Sequence, residues 1–109
     1  MNIRKISGQQ LKGMLANKKG QFVAVFSASW CSFCRMLKRE LEAATLDFMV
    51  VEVDISDEDD SSWDEFEVST VPTAILFKDG REFARKSPSM DGLRLKDLRE
   101  LVGRRTGSP

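Results

Sequence analysis

A chain of 109 residues amounts to one small domain, long enough to bury a core of its own. With 41% apolar and 31% charged residues, and no apolar run near the roughly 20 residues of a bilayer span, the sequence excludes a helical membrane protein. Seventeen basic residues balance seventeen acidic ones, so no global charge draws the chain to nucleic acid or an anionic membrane, and a monomer partnered by neither is expected.

Asn2 to Ile6 reads as a short strand at a sheet edge. No apolar h-region follows Arg4 and Lys5, so no secretory signal is expected and the expected location is cytoplasmic. Ser7 suits the N-cap of a helix from Gly8 to Asn17, with Leu11, Met14 and Leu15 at helical spacing. Lys18-Lys19-Gly20 closes it, the lysines matching the negative end of the helix dipole and Gly20 supplying the left-handed cap. Phe22 to Phe26 lacks polar alternation and predicts a strand covered on both faces, ending at Ser27-Ala28-Ser29. Directly behind it stand the only two cysteines, in the stretch Trp30-Cys31-Ser32-Phe33-Cys34.

From Ser32 to Leu46 the residues Phe33, Met36, Leu37, Leu41 and Ala44 recur every three or four positions and predict an amphipathic helix whose first turn holds both cysteines. Phe48 to Val53 predicts a second buried strand, joined to the first by a right-handed parallel crossover. Asp57 to Asp60, with Asp64, Glu65 and Glu67, forms an acidic stretch, while the C-terminal third is biased towards Lys and Arg; solvated faces and partner steering both fit. Ser61 or Ser62 caps a short helix from Trp63 to Val68, and Val71-Pro72-Thr73 leads into a strand from Ala74 to Phe77. Asp79-Gly80 predicts a hairpin to a strand Arg81 to Lys86, in which Phe83 and the stems of charged residues alternate in and out. Leu95, Leu98, Leu101 and Val102 make a last amphipathic helix capped by Gly103, with residues 104–109 as a disordered tail. The order predicts a single α/β domain over residues 1–103, with a central mixed β-sheet flanked by helices on both faces.

Cysteines at i and i+3 at a helix start share one face and can close a disulfide reversibly with little backbone motion. The helix N-terminus stabilises a nearby anion by roughly 0.3 to 2 kcal/mol, which favours thiolate chemistry at Cys31. Cys34, one turn further in between Phe33 and Met36, is expected to be the more buried and less ionised thiol. Cys31 is therefore read as the nucleophile that attacks a substrate disulfide, and Cys34 as the resolving thiol that attacks the mixed disulfide. A zinc site needs about four ligands, which two cysteines and no histidine do not supply within one chain. A static structural disulfide over so short a loop would constrain the unfolded chain only weakly.

The run from Val23 to Cys34, the strand end Val53-Asp54, Val71-Pro72-Thr73 and Phe77-Lys78-Asp79-Gly80 stand in the order and near the spacings of the thioredoxin family. The chain resembles a thioredoxin to about Val102, and Trp-Cys-x-x-Cys together with Val-Pro-Thr is specific for that superfamily. The resemblance implies the thioredoxin fold and a dithiol-disulfide oxidoreductase that reduces protein disulfides, with no bound cofactor beyond a redox-active Cys31-Cys34 disulfide. It implies a cis peptide bond before Pro72 and a role for Trp30, Ser32, Phe33 and Pro72 in supporting the site. Val71, Thr73 and Gly92 are the positions implied to bind an extended substrate segment by β-augmentation. Disulfide-containing proteins are the implied substrates, and an NADPH-dependent flavoprotein thioredoxin reductase is the implied electron donor.

The chain departs from the family pattern at the centre. Ser32-Phe33 stands where Gly-Pro is usual, so the redox direction does not carry over, and an oxidant or isomerase on the same fold is the alternative. A thioredoxin-fold interaction or chaperone module with incidental thiols is a further alternative, but its sequence mark, loss of a cysteine or of Pro72, is absent. Val25 replaces the family's buried aspartate six positions before the first cysteine, and the lysine that accompanies it aligns near Val50. Losing both avoids an unpaired buried charge and leaves the proton acceptor for Cys34 open. Glu52 is the nearest carboxylate by sequence, read either as that acceptor or as a partly exposed or salt-bridged residue. Arg35, beside Cys34, either favours thiolate or is an exposed helix charge.

Overall fold

The computed structural model describes residues 3–18 and 20–107, the last four of these by backbone alone. Its elements run β1 (Arg4–Ile6), α1 (Gly8–Ala16), β2 (Gln21–Ser27), α2 (Ser32–Ala43), β3 (Val50–Asp54), α3 (Ser62–Glu65), β4 (Thr73–Lys78), β5 (Arg81–Lys86) and α4 (Leu95–Gly107). The five strands form one sheet in the order β1-β3-β2-β4-β5, with β1, β3 and β2 parallel and β4 and β5 antiparallel to their neighbours. This is the mixed sheet and the element order that the sequence predicts.

β2 sits at the centre because both of its faces are apolar, and every residue from Phe22 to Ser27 is buried. Its alternation divides the core into two layers. Phe22, Ala24 and Phe26 pack with Ile75 and Phe77 of β4 and with Leu11 of α1, under Trp63 and Phe66. Val23 and Val25 pack on the opposite face with Leu37 and Leu41 of α2 and Leu98 and Leu101 of α4. Each fully buried Leu or Phe contributes roughly 1.5 to 3 kcal/mol, so the layers on the two faces hold the sheet between helices.

Several local expectations are corrected. In α2 the buried stripe is Cys34, Leu37 and Leu41, whereas Phe33 and Met36 face outward with 40% exposure each. α2 ends at Ala43, where Ala44 turns extended and sends Leu46 back into the core, so β3 begins at Val50 and not at Phe48. The left-handed residue directly after α1 is Lys18 (φ 50), whose N–H donates to the Leu15 carbonyl; Gly20 is also left-handed (φ 35), and Lys19 lies outside the described residues. α3 ends at Glu65, and the side chain at its start comes from Asp60, whose Oδ1 accepts the Ser62 N–H at 2.8 Å, while the Ser61 hydroxyl turns to Glu65. A β-bulge at Leu76/Phe77 leaves Phe83 between the paired Glu82 and Ala84, so Phe83 stays out of the core and lies under the Lys78 ammonium. α4 does not stop at Gly103 but continues to Gly107; the side chains from Arg104 and the whole of residues 108–109, where the tail is expected, lie outside the description.

Asp79 and Gly80 both take positive φ, 52 and 86, the pair that a tight hairpin between twisted strands requires. The antiparallel pairing of β2 with β4 sets Phe26 beside Thr73, which carries the Val71-Pro72-Thr73 turn to the end of β2 where α2 begins. The two segments that the sequence singles out therefore meet in space.

Candidate active site

Cys31 is the N-cap of α2, with extended backbone, and its Sγ accepts the Cys34 N–H at 3.2 Å. The sulfur thus occupies the place that a Ser or Asp oxygen takes at other helix starts, and receives one of the free N–H groups there. The Cys31 thiol also donates to the Val71 carbonyl at 3.7 Å. The Val71-Pro72 peptide bond is cis. Both cysteines are free thiols, so the arrangement is the dithiol form.

The loop that presents the thiols is tied down from the β3 side. Ser56 Oγ accepts the Ser29 N–H at 2.8 Å, and the Ser56 carbonyl accepts Trp30 Nε1–H at 2.9 Å. Ser56 is itself fixed by Asp54, whose carboxyl its hydroxyl and N–H hold below the usual carboxylate range. The Arg35 guanidinium donates to the Ser29 carbonyl at 2.9 Å, so this exposed helix cation straps the loop. Trp30, held at its nitrogen, leaves 55% of its surface open beside the thiols.

Cys34 is buried, because it points at the sheet and not because Phe33 and Met36 cover it. Burial, and after it the hydrogen bond with Cys31, push the Cys34 thiol up to about 12; the Ala28 backbone opposes them, and the Coulombic contributions of Cys31 and Glu52 that raise it further are smaller still.

The other candidates fall into two groups. Trp30, Ser32 and Phe33 are exposed around Cys31, and Gly92 backs that face from below: itself buried, with φ 80, it lies so close under Phe33 that a Cβ there would stand 2.6 Å from the ring. Ser89 and Gly92 close that turn with reciprocal backbone hydrogen bonds of 3.0 Å. Thr73, by contrast, is buried and spends its hydroxyl on the Thr70 carbonyl at 2.7 Å, fixing the turn before β4 and facing no open surface. The Val71 side chain is likewise buried, leaving its backbone as the part nearest the thiols.

Sequence reasoning misplaced one register and missed two residues. Val25 pairs with Glu52, and Val50 pairs with Val23, so the position beside Val25 on β3 carries an acid. Glu52 is salt-bridged, with Ser27 Oγ donating to Oε2 at 2.8 Å and Lys38 Nζ 3.2 Å from Oε1. The signal for Lys38 is its spacing, four residues after Cys34 and hence on the same helix face; that for Ser27 is its place two residues after Val25 on β2. Among the described residues no group of three or more His, Cys, Asp or Glu could hold a metal.

The thioredoxin family model matches residues 2–102. The chain belongs to the thioredoxin family. It is 39% identical over 85 residues to a thioredoxin of Chlamydia pneumoniae, covering 76% of this chain and 81% of the relative. Its fold matches the X-ray structure of Fasciola hepatica thioredoxin with a TM-score of 0.72 at 28% identity, covering 90% of this chain and 94% of that one. An N21Q mutant thioredoxin from Halobacterium salinarum matches with a TM-score of 0.71 at 26% identity, covering 94% and 88%. The chain is accordingly a dithiol-disulfide oxidoreductase with the thioredoxin fold.

Proposed function

We propose that this thioredoxin-family chain reduces protein disulfides, with Cys31 as attacking and Cys34 as resolving thiol. The observation that carries the reading is the asymmetry of the pair: Cys31 Sγ receives a helix-start N–H, whereas burial pushes the Cys34 thiol up to about 12. Cys31 attacks a substrate sulfur, one substrate thiolate leaves, and Cys34 then displaces the other and closes the Cys31-Cys34 disulfide. Trp30 and Phe33 form the rim on which the substrate lies, Gly92 contributes from beneath Phe33, and the backbone at Val71 pairs with an extended segment of the substrate. Ser32 and Pro72 shape this rim, and Thr73 acts through the turn it braces.

Electrons return from an NADPH-dependent flavoprotein thioredoxin reductase, which makes the chain an electron carrier between that enzyme and disulfide proteins. The chain works as a monomer, with a single domain that includes the whole of α4, in the cytoplasm, and no helix among the described residues is long and apolar enough to cross a membrane. Nothing in its balanced charge favours nucleic acid.

Insulin reduction tests the assignment. Cys31→Ser is expected to abolish turnover, while Cys34→Ser accumulates a covalent mixed disulfide seen by mass spectrometry. Normal turnover by Cys31→Ser overturns the roles. A dithiol potential near roughly −270 mV supports the reducing direction, and one near roughly −120 to −180 mV overturns it in favour of an oxidant or isomerase.

A further inference from the structure

Resolution by Cys34 has a proton to dispose of, since a thiol pushed up to about 12 carries its hydrogen at neutral pH. β2 offers no titratable acceptor, because beside Cys34 it presents the apolar Val25 and the Ser27 hydroxyl. The carboxylate beside Val25 comes instead from β3. Glu52 is largely buried, with 14% of its side chain exposed, and its Oε1 has no hydrogen-bond partner among the described residues, the Lys38 contact lacking hydrogen-bond geometry. Cys34, Val25, Ser27, Lys38 and Glu52 line one cavity of about 10 Å³, the scale of a single water. A buried acceptor with a free lone pair and a buried donor thus share one small space.

We propose that Glu52 accepts the Cys34 proton in the resolving step, with Ser27 and Lys38 positioning its carboxylate. This rests on the Cys31/Cys34 reading above. The Cys34 S–H bond breaks as its proton passes to Glu52, directly or through one water. The Cys34 sulfur attacks Cys31 Sγ, the Cys31-Cys34 disulfide forms, and the substrate sulfur leaves with the electron pair of the broken bond, taking a proton from solvent. The dithiol is oxidised and the substrate disulfide is reduced by the same two electrons. Glu52 then returns its proton to solvent past the partly exposed Lys38.

The charged and titratable surroundings come from every neighbouring element. α2 contributes Lys38 and Cys34, β2 the Ser27 hydroxyl, and the edge strand β1 Lys5, which pairs in register with Glu52. Asp54, two residues along β3, is held by Ser56.

The reaction of the reduced full chain with an aromatic disulfide that releases a coloured thiolate separates the two steps by stopped flow. The first equivalent reports Cys31 attack and the second reports resolution. Glu52→Gln is expected to leave the first phase unchanged and slow the second about 100-fold at pH 7, with a rate that climbs in proportion to hydroxide. Lys38→Met, which keeps the carboxylate, is expected to slow the second phase less than Glu52→Gln does. By NMR, the Cys34 titration midpoint falls in Glu52→Gln, since a like charge is removed. An unchanged second phase and pH profile in Glu52→Gln, or a larger loss in Lys38→Met, overturns the proposal. Cys34→Ser releasing a second equivalent instead overturns the underlying roles and leaves Glu52 aside.

Discussion

At the scale of single residues the rim of the site turns on the contact between Gly92 and Phe33. A side chain at Gly92 meets two obstacles, the left-handed backbone and the Phe33 ring atoms at 2.6 and 2.7 Å. Gly92→Ala is therefore expected to lower stability by about 1 kcal/mol or more and to move Phe33 off the rim. In a Phe33→Ala background the part of the cost that belongs to the ring disappears and the backbone part stays. Urea denaturation of the two single variants and the double variant measures the difference, and strictly additive costs would show that the contact is not strained. Gly92 could be nominated from sequence only through the family resemblance, because no local pattern ties a glycine to a ring fifty-nine residues earlier in the chain. Glu52 was legible as a lone acid in an apolar strand, but its two partners come from β2 and α2, and only the sheet register brings them to it.

At the scale of elements, a polar joint ties α2 to the start of α4 beside their shared apolar packing. Glu40 on α2 accepts from Arg94 at 3.0 and 2.6 Å and from the Leu95 N–H at 3.1 Å, so one carboxylate binds a guanidinium in bidentate fashion and satisfies a free N–H of the α4 start. The Arg94 hydrogen bond holds the Glu40 carboxyl below its ordinary range. A lowered carboxyl contributes stability that is full above its unfolded value and is lost as pH falls through the folded one. Glu40→Gln is expected to lower Tm by roughly 4 °C at pH 7, and the gap to the parent chain closes as the pH drops below about 4. A gap that stays constant with pH would assign the loss to packing alone. This joint also marks the limit of periodicity as a guide. The apolar spacing in α2 located the helix, yet Phe33 and Met36 satisfy it as well as Leu37 and Leu41 do, and only the position of the sheet selects which stripe is buried. Short-range chemistry was the more legible part: Ser7 caps α1 with Gln10 reciprocating, and Asp79-Gly80 makes the hairpin.

At the scale of the whole molecule, the acidic and basic stretches along the chain both send side chains into local ion pairs. Lys12 meets Glu65, Arg85 meets Glu82, Lys86 meets Asp97 and Glu100, and Arg94 meets Glu40, so part of the folded charge is answered in pairs, most of them between different elements. What remains is a sheet with a core layer on each face, and the chemistry draws on both: the cysteines pack with the α1 side, while Val25 and Leu37, on the α2 side, wall the cavity at Cys34. Stability and reactivity are nevertheless separable. Leu98 of α4 is fully buried in the α2-side layer and does not line that cavity. Leu98→Ala is expected to cost about 2 to 5 kcal/mol, a large share of the 5 to 15 typical of a whole domain, and to lower the urea midpoint with its slope unchanged. Below that midpoint both phases of thiolate release keep their rates, because neither the helix-start N–H at Cys31 nor the Glu52 carboxylate touches the vacated space. A selective slowing of the second phase in Leu98→Ala would mean that the α4 packing sets the distance between Cys34 and Glu52, and that the site is only as rigid as the layer behind it.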